Sequence, residues 1–125
     1  MRHHRHYTVE EAAALLAWTG ERLMAMRAAH ERLTDSEARR ALTQAASTNG
    51  GGPPGKLVGE AFVALQSAAA ALGQREIVLR DLERGLIDFP TLRDGEEAYL
   101  CWMEGETVIG FWHELDAGHA GRQAL

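Results

Sequence analysis

The chain has a single cysteine, Cys101, so it cannot close an intrachain disulfide. A reducing, cytoplasmic compartment is the expectation. It has no apolar run near the ~18 residues that a membrane helix needs, so no membrane partner is expected. The opening MRHHRHYTVEE lacks the apolar core of a signal peptide. Lysine is almost missing: Lys56 stands alone beside arginines that are scattered among acids. With a formal net charge of −5 the chain has no basic face for phosphate, which argues against nucleic acid as a partner. What is present is ordinary: 125 residues, 46% apolar and 25% charged, enough for one domain with one core.

The stretch YTVEEAAALLAWTGERLMAMRAAHERL opens a helix. Thr8 with Glu11 has the spacing of a capping box, and Glu10 and Glu11 suit the positive end of the helix dipole. Its apolar seam steps through Ala12, Leu16, Thr19, Leu23, Met26, His30 and Leu33 in threes and fours. The register then fails. Thr34 and Glu37 restart a capping box, with a new stripe at Ala38, Leu42 and Ala45, so a kink or break is expected near Asp35. TNGGGPPG marks a boundary, because its glycines and prolines do not continue a helix. Another helix follows with a stripe at Val58, Ala61, Phe62, Leu65, Ala68, Ala69 and Leu72, stopping at Gly73. These segments predict an antiparallel helical hairpin.

From Arg75 the period changes to two. EIVLRD and GLIDFP read as short strands about a turn at Leu82 to Arg84. EAYLCWM and TVIGFWHE read as a stronger pair about Glu104-Gly105-Glu106. Centring the turn there sets Trp102 opposite Ile109, Leu100 opposite Phe111 and Ala98 opposite His113. Both faces of that pair then look apolar. The helical hairpin covers one, and a second subunit is the simplest cover for the other, so a homodimer is expected.

The expected fold is therefore α+β: an N-terminal antiparallel helical hairpin, its first helix kinked or broken near residue 35, packed on a small C-terminal antiparallel β-sheet of 3–4 strands. Residues 1–7 are read as a flexible tail, 8–48 as one or two helices, and 49–55 as a loop. Residues 56–73 are a helix, 75–114 the sheet and 115–125 a C-terminal tail, all in a single domain.

YTVEEAAALL, NGGG and then LERGLIDFPTLRDGEEAYLCWMEGETVIGFWHELDAGHAGRQAL together resemble the bacterial domain of unknown function 2203 family over nearly the whole chain. The specific part is Gly85 to Pro90, Cys101-Trp102, Gly105-Glu106, Trp112-His113 and Gly118 to Arg122. In the first helix Ala17 stands where the family pattern has proline. The resemblance implies a compact α+β protein and no assigned activity.

Chemistry must come from the residues. His113, Asp116 and His119 are spaced in threes and offer imidazole and carboxylate to a divalent metal such as zinc. Asp88 shares a strand face with Leu86, and a carboxylate there needs a partner, for which His113 and Arg122 are the candidates. Such a pair serves either as acid–base catalyst or as a clamp for the tail. Gly118, Gly121, Asp116 and Arg122 suggest an anion cradle. Cys101 is read as a buried inert thiol on the face opposite His113. His3, His4 and His6 belong to the flexible tail, and His30 to the helix seam. Two functions follow: a non-catalytic oligomeric binding module, or a metal- or anion-binding pocket centred on Asp88 and His113, with hydrolysis as its candidate chemistry.

Overall fold

In the computed structural model, residues 1–35, 40, 43–44 and 52–125 are described. The chain divides into two units, one of Met1–Glu21 with Ala71–Leu125 and one of Arg22–Ala70.

The first unit begins with the capping box as expected. Thr8 Oγ1 accepts from the Glu11 N–H, and the Glu11 carboxylate accepts from the Thr8 N–H. The helix it starts, α1 (Val9–Ala14), is short. Leu15 interrupts it with φ −99° and ψ 0°, and α2 (Leu16–Thr34) follows. A continuous first helix was expected, so this break is a correction. Ala17 lies in the first turn of α2. The break expected near Asp35 coincides with the end of α2. The restarted stripe at Ala38, Leu42 and Ala45, and the second capping box at Glu37, lie outside the described residues.

In the second unit the buried positions are Leu23, Met26 and Ala29 on α2, and Ala61 and Ala68 on α3 (Gly52–Gln74). His30 is exposed, because Ala29 takes the buried side of that turn. Phe62, expected in the stripe of α3, is also exposed. α3 starts inside the expected loop and carries Pro53 and Pro54 in its first turn, where a missing N–H costs nothing.

The sheet has five antiparallel strands in the order β1-β2-β3-β4-β5. They are β1 (Val78–Asp81), β2 (Leu86–Arg93), β3 (Glu96–Met103), β4 (Phe111–Glu114) and β5 (Gln123–Ala124). The expected three or four strands become five because the C-terminal tail contributes β5 at the edge of β4. β2 and β3 join through Asp94-Gly95, both at positive φ (51° and 82°), as a two-residue hairpin turn requires. That turn sets Arg93 against Glu96 and Asp88 against Cys101.

The β3–β4 register corrects the expected one by a single residue. Tyr99 faces His113, Leu100 faces Trp112 and Cys101 faces Phe111. The turn at Glu104-Gly105-Glu106 forms, with the Glu106 N–H on the Met103 carbonyl. The chain does not pair directly from it. The Glu106 carboxylate accepts from the Met103 N–H, and the Trp102 indole donates to the Glu106 carbonyl. Pairing resumes only at Phe111. A slip of one residue transfers every side chain of β4 to the opposite face.

Side chains on both faces of β2 and β3 are buried. On one, Tyr7 packs edge-on against Phe89 at 5.6 Å. On the other, the chain's own ends supply cover. The expected flexible tail is laced to the sheet. The Arg2 and His3 N–H groups donate to Glu97, and those of His4 and Arg5 donate to Glu76. The Tyr7 N–H donates to the Pro90 carbonyl at 2.7 Å, and Thr91 Oγ1 donates to the Tyr7 carbonyl at 2.6 Å. This also explains a proline in a central strand. The Tyr7 bond shows that the backbone polar groups of Pro90 face the edge beyond the end of β1, where no ladder N–H is needed. From the C-terminal side, Arg122 stacks over Phe111 at 3.8 Å.

Candidate functional site

Alternation along three neighbouring strands builds the site. Asp88 on β2 is opposite Cys101 on β3, and His113 on β4 is opposite Tyr99, two residues from Cys101. Residues two apart share a face, so Asp88, Cys101 and His113 meet on one side of the sheet. Each offers a ligand atom within 4.8 Å of the others, and all three are buried. The expectation that Cys101 and His113 lie on opposite faces is overturned by the register.

The His113 ring is fixed at both nitrogens. Nδ1 lies 2.7 Å from the Glu114 carbonyl oxygen and Nε2 lies 3.0 Å from Asp88 Oδ1. A carbonyl only accepts, so Nδ1 carries the proton. A neutral ring then points its Nε2 lone pair at a carboxylate oxygen. The contact is attractive only with a further positive species between the two atoms, either a proton or a cation. The other carboxylate oxygen, Oδ2, accepts from Arg80 Nε at 2.9 Å. Arg80 also lies over the Tyr99 ring, whose hydroxyl is 2.6 Å from His3 Nε2.

Around Cys101 the balance differs. Burial pushes its thiol up to about 11, and the neighbouring Asp88 charge adds to this. Arg122 opposes both, with Nη1 at 4.0 Å from Sγ. Arg122 is itself held by Glu106 at 2.8 Å. Burial opposes ionisation of Glu106, but Arg122 and the Met103 N–H outweigh it and hold the carboxyl below its ordinary range.

The other expected site residues are placed apart. Asp116 is exposed and pairs with Arg2 at 3.2 Å. The set His113, Asp116 and His119 is not gathered; His113 closes with Asp88 and Cys101 instead. Arg122 takes Glu106 rather than Asp88 or Asp116. Gly118 has φ 69° and precedes the 3-10 turn His119–Gly121. Gly118, His119 and Asp116 do line a pocket of about 340 Å³, together with Arg2, Arg80 and Asp88. His119 Nε2 is shielded and has no hydrogen-bond partner among the described residues. Burial, and then Arg122 and Arg84, lower the pKa of this ring, which favours its neutral form.

Arg80 and the His3–Tyr99 contact carry no signal in the sequence, and Cys101 was expected as an inert thiol on the opposite face. The Asp94-Gly95 dipeptide was the available signal for Cys101, since a two-residue turn there counts back to Asp88 opposite Cys101.

A family model described as "Uncharacterized conserved protein (DUF2203)" matches residues 5–125. The chain belongs to this family. Its matched region contains the whole of the Asp88, Cys101 and His113 cluster. Neither the curated proteins nor the solved structures provide a match. The family description carries no activity, so function is argued from the geometry. Among the described residues no helix is long and apolar enough to cross a membrane.

Proposed function

We propose that this protein binds a divalent metal ion, zinc by preference, through Asp88, Cys101 and His113. The observation that carries the reading is the His113 ring. Its Nδ1 proton is committed to a backbone carbonyl, which turns the Nε2 lone pair toward Asp88 and Cys101. An outer hydrogen bond that fixes the tautomer in this way is the usual support of a metal-bound histidine. Two N or O ligands at about 2.0–2.1 Å from a tetrahedral ion lie roughly 3.3 Å apart. The observed 3.0 Å between Nε2 and Oδ1 needs only a small opening. A nitrogen, an oxygen and a sulfur donor together suit zinc. Three protein ligands leave a fourth position for water or a bound molecule, the pattern of reactive rather than purely structural zinc sites.

Charge supports the same reading. Without metal, the cluster holds a neutral thiol and one proton shared by His113 and Asp88. Replacing both protons by one divalent ion leaves the buried net charge unchanged, which avoids an added desolvation cost.

The test uses cobalt(II) as a spectroscopic substitute for zinc. The chain has one cysteine, so a thiolate-to-cobalt charge-transfer band reports Cys101 alone. The expected result is a band that saturates at one cobalt per chain, vanishes in Cys101→Ser and weakens in His113→Ala. Cobalt binding without that band would place the metal elsewhere, for instance on the N-terminal histidines, and would defeat the proposal.

A further inference from the structure

The pocket beside the cluster has features that the metal reading does not use. It is lined by two guanidinium groups, each oriented by an acid: Arg2 by Asp116 and Arg80 by Asp88. Arg80 bonds Asp88 through Nε, and no bond of its two terminal nitrogens to a protein acceptor is found among the described residues. His119 lines the same pocket, and its Nε2 is shielded and has no hydrogen-bond partner among the described residues. Asp88 belongs to both the pocket lining and the cluster.

In the metal-free protein these charges cancel, with Arg2 and Arg80 against Asp88 and Asp116. The proton between His113 and Asp88 adds one positive charge to that total, and exchanging it and the Cys101 thiol proton for a divalent ion keeps that charge. Once the ion holds Asp88, the donors facing the pocket exceed the acceptors, and a single negative charge restores neutrality. We infer that the fourth position of the metal takes a small carboxylate, admitted through this pocket and held by Arg2, Arg80 and His119. The inference rests on the metal reading. A pocket of about 340 Å³ is at the small end for ligand sites and suits an acid of a few carbon atoms. A carboxylate oxygen on the ion, with the other on a guanidinium, uses both halves of the anion.

The experiment adds acetate, and separately inorganic phosphate, to the full chain loaded with cobalt(II). Acetate should shift the cobalt ligand-field bands saturably while the thiolate band remains. His119→Ala and Arg2→Gln should each weaken acetate roughly tenfold, the loss expected for one charge-assisted hydrogen bond. These variants leave the three metal ligands in place, so an intact thiolate band shows that each is folded and loaded. Ligand-field bands unmoved by acetate, with the thiolate band present, overturn this inference and spare the metal site. A response to phosphate alone overturns the carboxylate assignment, and an acetate response unchanged in both variants overturns the pocket. Absence of the thiolate band defeats the metal reading itself, and this inference with it.

Discussion

Replacing Asp88 separates the proton between Asp88 and His113 from the charge on the carboxylate. Asp88 is 1% exposed and carries two bonds, to His113 Nε2 at 3.0 Å and to Arg80 Nε at 2.9 Å. In Asp88→Ala both are lost. The Arg80 side chain is 41% exposed and can turn to water, so its loss is discounted for solvent screening. His113, 1% exposed, has no such escape. A stranded buried polar group costs about 1–3 kcal/mol, and breaking a buried pair costs about 3–5 kcal/mol. With Arg80 solvated, about 3 kcal/mol is expected for Asp88→Ala. In Asp88→Asn the amide oxygen still accepts from Arg80 and the amide nitrogen donates to a neutral His113, so about 1 kcal/mol is expected. The assay is urea unfolding at pH 7 with a chelator present, so that bound metal adds no stability. By melting, the alanine variant should lose roughly 10 °C. An alanine variant within 1 kcal/mol of the parent would refute a buried pair. An asparagine variant as unstable as alanine would show that His113 must stay an imidazolium, contrary to the proton-sharing argument.

Zinc binding to the metal-free protein at pH 7 should release about two protons, one from the Cys101 thiol at about 11 and one from between His113 and Asp88. An indicator in weak buffer reads this, and release of one proton or none contradicts the ligand set. The N-terminal strap should loosen in acid. The His4 N–H, foremost, and then that of Arg5 lower the pKa of Glu76 from its ordinary 4.5. Burial opposes ionisation of Glu97, but the His3 and Arg2 N–H groups lower its pKa as well. Carboxyls whose pKa falls on folding stabilise the fold above 4.5, and the contribution disappears as pH drops through the lowered values. Protection factors for hydrogen exchange at His3, His4 and Arg5 should therefore fall below pH 4.5, and Glu76→Gln should show the same loss at His4 and Arg5 at neutral pH. Unchanged protection in either experiment would show that the carboxylates do not hold the strap. Gly95→Ala should cost about 1–2 kcal/mol from positive φ alone, since an added Cβ meets nothing within 4 Å; equal stability in urea would contradict this.

Local rules read from the sequence held where short-range interactions decide. The Thr8 and Glu11 capping box, the strand pair about Leu82 to Arg84 and the turn at Gly105 follow from neighbours in the chain. The β3–β4 register did not, because it depends on where the Glu106 carboxylate lands. By binding the Met103 N–H it delays pairing until Phe111 and reverses the faces of β4. That reversal also explains the cluster. Asp88 and His113 were recognisable as polar residues in apolar strands, whereas Cys101 was assigned to the wrong side. The N-terminal segment looked solvated by composition. Its order comes from Glu76 and Glu97, more than seventy residues away in the chain, which no local pattern connects to it. The last strand was too short to register as a period.

The central claim is that Asp88, Cys101 and His113 hold one divalent ion. X-ray absorption at the zinc edge of the loaded protein tests it most directly. The zinc shell should contain one sulfur at about 2.3 Å and nitrogen or oxygen neighbours at about 2.0–2.1 Å. The sulfur should be absent in Cys101→Ser. A zinc shell of nitrogen and oxygen alone in the unaltered chain would contradict it.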